Sequence, residues 1–260
     1  MSRKRSSAVR DQDIPFLQNQ RKNKQSFYLN ESKTIDFAQA KLAPKVNKKP
    51  VTLIPKSLNQ EKYIMALLDE SIDIVVVSGP AGTGKTYLAI LAAVKALRAG
   101  ECKRLVLTRP AVAVEDEEHG FLPGDLNEKL APWVRPMVDI LQEYYTVKEL
   151  AEMMAEQTIE FSPLGFMRGR TFKDSWIILD EGQNAKPSQM KMLMTRIGNN
   201  SEIVITGDTE QADQRNAENG LLDLTKKLNK FDVPGMQACE FETKDIQRHR
   251  IIEHVLKLYS

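Results

Sequence analysis

The chain has 260 residues, 42% of them hydrophobic, which is enough for one large folded domain or two small ones. Its net charge of +2 is unevenly spread: residues 1–50 carry 12 Lys/Arg and 4 Asp/Glu, a net of +8, which leaves −6 for the remainder. A basic segment on an acidic body indicates that the segment meets a polyanion. No apolar run approaches membrane-spanning length, so we expect neither a membrane span nor a secretory signal.

The two cysteines and three histidines lack the spacing of a metal or redox site. Cys102 and Cys239 stand alone, and His119, His249 and His254 form no ligand pattern. A reducing, cytoplasmic compartment is the simplest expectation.

Residues 1–50 are polar and rich in Lys, Asn, Gln and Ser, which predicts a mostly disordered basic arm ahead of a folded unit at 51–260. Aromatic residues such as Phe16 and Phe27 lie between the charges and could stack on nucleic-acid bases. A solubilising tail that docks loosely on the body is an equally weighted alternative.

The strongest motif of the chain lies between a predicted strand and a predicted helix. Helical periodicity from Leu58 to Leu68 precedes the β-branched run Ile72–Ser78, which is typical of a buried parallel strand. Apolar residues at helical spacing then continue to Gly100, where a helix is expected to end. The segment between strand and helix fits the phosphate-loop pattern G-x-x-x-x-G-K-[ST] at every fixed position. It consists of Gly79, Pro80, Ala81, Gly82, Thr83, Gly84, Lys85 and Thr86.

This motif predicts a nucleotide site. Glycines let the backbone N–H groups point at phosphate oxygens, and the helix N-terminus adds partial positive charge. Lys85 is expected to reach the β- and γ-phosphates, and Thr86 to offer its hydroxyl to Mg²⁺. A glycine-rich turn without a ligand is the weaker alternative, because it gives no reason for the Lys-Thr pair.

A second predicted strand, Lys103–Thr108, ends at Arg109, which we expect on the ligand side of a parallel sheet. A surface ion pair is the alternative for Arg109. Residues 115–136 read as an insertion of loop and helix. A helix over 147–156 and a short strand over 158–161 follow, and then a loop that carries Arg168 and Arg170 around a glycine.

The second decisive motif is an apolar strand that ends in Asp180-Glu181. A carboxylate at the tip of a buried strand suits a second Mg²⁺ ligand, so Asp180 is expected to hold the metal directly or through water. Glu181 is expected to orient and deprotonate the attacking water. The sequence therefore predicts ATP and Mg²⁺ as cofactors.

The remaining elements complete an α/β fold. A helix over 187–197 and a strand over 201–206 lead to a Thr-Gly-Asp turn, after which Gln211 could sense the γ-phosphate. A solvated Gln211 after an ordinary turn is the alternative. A helix over 221–228 and a strand over 237–241 follow, and a final helix is expected to open at Asp245 and to carry Arg248.

Taken together, these motifs resemble the PhoH-like family of ATPases over residues 51–256. The specific combination is Gly-Phe-Leu-Pro-Gly-Asp-Leu at 120–126, Met-Arg-Gly-Arg-Thr-Phe at 167–172 and Ile-Leu-Asp-Glu-Gly-Gln-Asn at 178–184. The sequence departs from the family pattern at Gly182, where Ala is usual, and at Arg250, where Pro is usual. The basic arm lies outside the matched region.

The resemblance implies a single RecA-like P-loop core with a mostly parallel sheet flanked by helices, related to superfamily-one helicases. It further implies ATP hydrolysis, association with RNA metabolism and, for some members, a link to phosphate starvation. Carried over, Gln60 would read the adenine, since an amide supplies a donor and an acceptor. Arg248 would face the γ-phosphate, although Arg250 leaves its aim open.

Three classes of function fit these features. The leading one is an ATPase whose cycle acts on RNA or another single-stranded nucleic acid, in a homo-oligomer that could be a hexameric ring with a site at each subunit boundary. The second is a nucleotide-gated adaptor that hydrolyses ATP slowly. The third, a small-molecule kinase, fits less well because Glu181 beside Asp180 suits hydrolysis by water.

Overall fold

The computed structural model describes residues 49–110, 126–210 and 219–247, together with two short strands nearer the N-terminus. The strands are β1 (Ser26–Tyr28), β2 (Thr34–Asp36), β3 (Ile74–Ser78), β4 (Arg104–Thr108), β5 (Ile159–Phe161), β6 (Ser175–Leu179), β7 (Glu202–Gly207) and β8 (Met236–Glu240). The α-helices are α1 (Leu58–Leu67), α2 (Lys85–Ala99), α3 (Leu126–Gln142), α4 (Val147–Ala155), α5 (Pro187–Met194) and α6 (Gly220–Lys230).

Strands β3 to β8 form one parallel sheet in the order β5-β4-β6-β7-β3-β8. Its central strands are buried β-branched and aliphatic runs, as expected of a sheet covered on both faces. Strand β7 separates β3, which precedes the phosphate-loop motif, from β6, which precedes Asp180. The expected α/β fold with a parallel sheet is confirmed.

The sheet has an apolar core on each face. Side chains alternate along the strands, so that Val75 and Val77 of β3 pack on one side while Ile74 and Val76 pack on the other. Helices α1 and α2 cover the first side together with parts of α3 and α4. Helices α5 and α6 cover the second side. Among the described residues, no helix has both the length and the apolar character needed to cross a bilayer.

Two local features differ from the sequence analysis. Strands β1 and β2 pair antiparallel, with Phe27 opposite Ile35, in a segment for which no strands were predicted. The predicted start of a helix at Asp245 is wrong, because Thr243–Asp245 form a single 3-10 turn and Ile246 is extended. The Asp245 side chain accepts a hydrogen bond from the backbone N–H of Glu242 and so closes this turn on itself. The rest of that predicted helix, from Arg248 on, lies outside the described residues.

Glu202 lies at the amino end of β7, where acidic residues gather. Burial raises the pKa of its carboxyl to about 7, and the carboxylates of Glu101, Asp73 and Glu70 add to the rise, while a hydrogen bond from Trp176 opposes it. The folded protein therefore binds a proton there that the unfolded chain releases above its ordinary pKa. Ionisation of Glu202 should destabilise the fold as the pH rises toward 7.

We predict that Glu202→Gln raises the melting temperature most at pH 8 and has little effect near pH 4, because the amide keeps the size of the side chain without its charge. Thermal unfolding across this pH range tests the prediction. Glu240→Gln, at the exposed end of β8, is the matched control. A gain from Glu202→Gln that is the same at every pH would contradict the explanation.

Candidate nucleotide site

The phosphate-loop motif forms the turn between β3 and α2, and two of its glycines are required by geometry. Gly79 has φ +144°, and a Cβ atom there would lie 2.5 Å from the carbonyl oxygen of Phe241. Gly84 has φ +84° and caps α2 in the left-handed region, which other residues rarely adopt. The loop therefore curls tightly ahead of the helix N-terminus, as a phosphate cradle requires.

The ammonium group of Lys85 lies inside this curl. Its Nζ donates hydrogen bonds to the carbonyl oxygens of Gly79 at 2.6 Å and Pro80 at 2.7 Å, and the residue is 8% exposed. The hydroxyl of Thr83 donates to the Pro80 carbonyl at 2.9 Å. A buried cation is thus held at the centre of the loop by oxygens that phosphate oxygens can replace.

Gln60, expected to read the adenine, contacts the phosphate loop and is 4% exposed. Its side-chain amide donates to the Thr83 carbonyl at 2.9 Å and accepts from the backbone N–H of Lys56 at 2.7 Å. Gln60 therefore braces the loop against the start of α1. Recognition of a base by Gln60 stays a prediction.

Residues that the sequence analysis did not single out hold the loop from outside. The phenol of Tyr63 donates to the carbonyl of Lys85 at 3.3 Å, and the backbone N–H of Gln247 donates to the carbonyl of Gly82 at 2.8 Å. Asn59 donates to Asp245 at 2.8 Å and so ties α1 to the segment that leads to Gln247. Such contacts join distant parts of the chain, and no local pattern reveals them.

The buried carboxyl of Asp245, which binds Asn59, stays ionised. Burial opposes its charge, but hydrogen bonds from the Glu242 backbone and from the side chains of Ser57 and Asn59 outweigh burial and lower its pKa. An ionised acceptor strengthens the bond from Asn59.

Asp180 is the meeting point of three neighbouring elements. Its Oδ1 accepts from the hydroxyl of Thr86 at 2.6 Å and from the hydroxyl of Thr206 at 2.8 Å. Its Oδ2 accepts from Nε of Arg109 at 2.8 Å and also from Nη2 of the same guanidinium. Asp180 is 3% exposed, so a buried charge is matched by one cation and two hydroxyl donors.

These oxygens fit a magnesium ion. Ligand oxygens at 2.0–2.1 Å from an octahedral Mg²⁺ lie about 2.9 Å apart, close to the separation of Thr86 Oγ1 and Asp180 Oδ1. Both are hard oxygen donors, as this cation requires. No group of three His, Cys, Asp or Glu side chains within the described part of the chain could hold a metal by itself. The remaining ligands would be phosphate oxygens and water.

Glu181 is held next to this centre by a glutamine that the sequence analysis did not assign. Glu181 has φ +56°, and its Oε2 accepts from the side-chain amide of Gln183 at 2.6 Å. The amide oxygen of Gln183 accepts from the backbone N–H of Asp208 at 3.0 Å. A Cβ atom on Gly207 would lie 2.5 Å from that amide oxygen, so only glycine leaves room for the clamp.

The structure brings together Lys85, Thr86, Asp180 and Glu181, and adds Arg109 as a partner of both acids. Nη2 of Arg109 lies 3.9 Å from Glu181 Oε1 as well as bonding to Asp180. Thr206 belongs to the Thr-Gly-Asp turn, but its contact with Asp180 was not predicted. Gln211 and Arg248, the expected sensor and γ-phosphate arginine, lie outside the described residues.

The sequence matches known proteins along most of its length. A family model described as PhoH-like protein matches residues 52–260. The PhoH-like proteins of Synechocystis sp. and Bacillus subtilis are each 41% identical to it, over 79% and 82% of this chain and over 61% and 66% of their own chains. Protein PhoH of Escherichia coli is 34% identical over 80% of this chain and 58% of its own. The chain thus spans about three fifths of the length of these relatives.

Two solved structures show weaker likeness. The Pif1 helicase from Candida albicans has 16% sequence identity and a TM-score of 0.38, covering 79% of this chain and 44% of its own. The Pyrococcus furiosus Hef helicase domain has 11% identity and a TM-score of 0.41, over 72% and 38%. Structural likeness at this level does not support an assignment, so the fold is assigned from the sheet topology alone. The family match and the curated relatives show that the chain belongs to the PhoH-like protein family.

Proposed function

We propose that this protein is a cytoplasmic ATPase that hydrolyses ATP with Mg²⁺ and couples hydrolysis to a single-stranded nucleic acid, RNA foremost. The observation that carries the proposal is the 2.6 Å contact of the Thr86 hydroxyl with the Asp180 carboxylate, beside the ammonium of Lys85 in the loop. This is the set of groups that binds a magnesium nucleotide in phosphate-loop proteins. Family membership supports the same reading.

The loop and α2 would bind the phosphates. The N-terminus of α2 favours negative charge, and Lys85 adds a full positive charge in a buried place. Mg²⁺ would neutralise charge that develops on the phosphate oxygens. Thr86 and Asp180 would hold it on the side of the loop that faces β7.

Glu181 would act on the attacking water. Its side chain is 47% exposed, so water reaches it. Gln183 fixes Oε2, which leaves Oε1, 3.9 Å from Nη2 of Arg109, as the oxygen that would accept a proton. Arg109 balances the charge of both acids, since its guanidinium lies between Asp180 and Glu181. Hydrolysis rather than transfer to a second substrate suits this arrangement.

Coupling to nucleic acid rests on charge and on the family resemblance. The arm at 1–50 carries a net charge of +8 and contains four aromatic residues, a composition that suits phosphates and bases together. We also propose a homo-oligomer, because a lone core leaves one side of the nucleotide without a cationic clamp. The backbone of Gln247, the last described residue, is bonded to the loop.

ATP hydrolysis by the purified chain, measured with Mg²⁺ and with or without single-stranded RNA or DNA, tests the proposal. We expect hydrolysis that single-stranded RNA stimulates several-fold. Lys85→Ala should abolish it, because the variant loses the buried charge that meets the phosphates. Glu181→Gln should still bind ATP but hydrolyse it at least about 100-fold more slowly, because an amide cannot accept the proton.

The outcomes separate the candidate functions. Hydrolysis by Lys85→Ala at the wild-type rate would remove the site assignment. Slow hydrolysis with no response to any nucleic acid would favour a nucleotide-gated adaptor instead. Normal turnover by Glu181→Gln would show that another group activates the water.

A separate prediction concerns the clamp on Glu181. Gln183→Met keeps a similar volume but leaves Glu181 unoriented and the buried N–H of Asp208 without its acceptor. We predict that kcat falls by about ten-fold or more, while the dissociation constant for ATP changes little, because the loop contacts are untouched. Steady-state kinetics and nucleotide binding measure the two effects. Gln237→Met, at an exposed position on β8, is the control, and an unchanged kcat in Gln183→Met would contradict the role.

A further inference from the structure

Two packed segments of the body form a strongly basic surface. Residues 163–173, which lead from β5 to β6, and residues 186–196, which contain α5, hold six Lys or Arg and no Asp or Glu. They pack on each other through buried Leu164, Met167 and Phe172 on one side and Met190 and Leu193 on the other. We call this surface the basic face. It stands out because residues 51–260 carry a net charge of −6.

Three of its six cations make no side-chain hydrogen bond or ion pair with any described residue. Arg170 is committed, since its guanidinium forms a two-pronged contact with Glu160 and lies 4.5 Å from the ring of Phe172. Arg196 donates to the Arg170 carbonyl at 3.3 Å. Lys173 is exposed, and its charge acts on the neighbouring carboxylate of Asp174. The remaining three side chains are exposed and make no hydrogen bond or ion pair with any described residue. They are Arg168, Lys186 and Lys191.

A short turn of the basic face carries an exposed aromatic ring. Phe166 is 59% exposed on the 3-10 turn Leu164–Met167, whose Leu164 and Met167 are fully buried. The turn is fastened to the neighbouring strand, since the N–H of Leu164 donates to the carbonyl of Arg109 at 3.2 Å. Burial of its neighbours therefore holds Phe166 in solvent, two residues before Arg168.

We infer that the basic face binds single-stranded nucleic acid. Phe166 stacks on a base, while Arg168, Lys186 and Lys191 contact phosphates. The inference rests on the proposed function and gives it a place on the molecule. Phosphates need cations with free donors, and each base offers a flat face to an aromatic ring. An acidic polypeptide would use the cations but has no comparable use for Phe166.

The same turn connects the basic face to the nucleotide site. Arg109 accepts the N–H of Leu164 with its backbone and holds Asp180 with its guanidinium. A bound nucleic acid that shifts the turn Leu164–Met167 therefore acts on Arg109, which is bonded to Asp180. This contact gives nucleic acid a direct route to the rate of hydrolysis.

Fluorescence anisotropy of a labelled oligonucleotide of about 20 nucleotides, longer than one binding site, tests the inference on the full chain at several salt concentrations. Oligouridylate and oligothymidylate distinguish RNA from DNA. Phe166→Ala should weaken binding about five-fold or more. Arg168→Ala and Lys191→Ala should each reduce the slope of log affinity against log salt by about 0.7.

Two controls match these changes in kind and exposure. Phe231→Ala removes a ring that is 57% exposed and follows α6, and Lys95→Ala removes an exposed cation on α2, which covers the other face of the sheet. Neither should alter oligonucleotide affinity or the salt slope. The melting temperature of each variant reports whether it is folded.

The outcomes separate this inference from the proposed function. If the wild type binds oligonucleotide and Phe166→Ala and Arg168→Ala bind it equally well, the strand lies elsewhere and only this inference fails. If the wild type hydrolyses ATP but binds neither oligonucleotide, the nucleic-acid function and this site fail together. Binding of labelled polyglutamate in place of oligonucleotide, lost in Arg168→Ala, would assign the face to an acidic protein and overturn the inference.

Discussion

The buried carboxylate of Asp180 is the interaction on which the rest of the site depends. A charge that is 3% exposed is stable only when it is paired and hydrogen-bonded, and Asp180 obtains its partners from Thr86, Thr206 and Arg109. Thr86 lies in the first turn of α2, Thr206 lies near the end of β7, and Arg109 directly follows β4. One carboxylate thus fixes how the phosphate loop, the sheet and the arginine lie relative to one another.

The order of strands makes this possible. Strand β7 lies between β3 and β6, so the loop after β3 and the acids after β6 face each other across the end of a single strand. That strand ends in Thr206-Gly207, where a hydroxyl fills the space beside Asp180 and the missing side chain admits Gln183. The end of β7 therefore supplies both a donor to Asp180 and the space for the side chain that orients Glu181.

Much of this could be predicted from the sequence, because its causes are local. Buried β-branched runs indicated the central strands, and fixed glycine spacing indicated the loop with Lys85 and Thr86. The partners of Arg109 and the clamp formed by Gln183 could not be predicted, since they depend on which strands are neighbours. The expected helix start at Asp245 failed for the same reason: the carboxyl of Asp245 closes a short turn and binds Asn59 of α1, a contact between distant residues.

The sequence also does not show which side chains of a loop are exposed to solvent. The motif Met-Arg-Gly-Arg-Thr-Phe contains two similar arginines. Arg170 donates hydrogen bonds to Glu160, whereas Arg168 has no partner among the described residues. Phe166 and Phe172 are six residues apart, and one faces solvent while the other is 1% exposed. The fold thus assigns structural and exposed roles within a single loop.

A crystal structure of the chain with Mg²⁺ and a non-hydrolysable ATP analogue would test the central claim most directly. We expect the metal about 2.0–2.1 Å from Thr86 Oγ1, with Asp180 bound to it directly or through one water. Nζ of Lys85 should then contact phosphate oxygens rather than the carbonyls of Gly79 and Pro80. An analogue bound away from the loop, or a metal held without Thr86 and Asp180, would contradict the account.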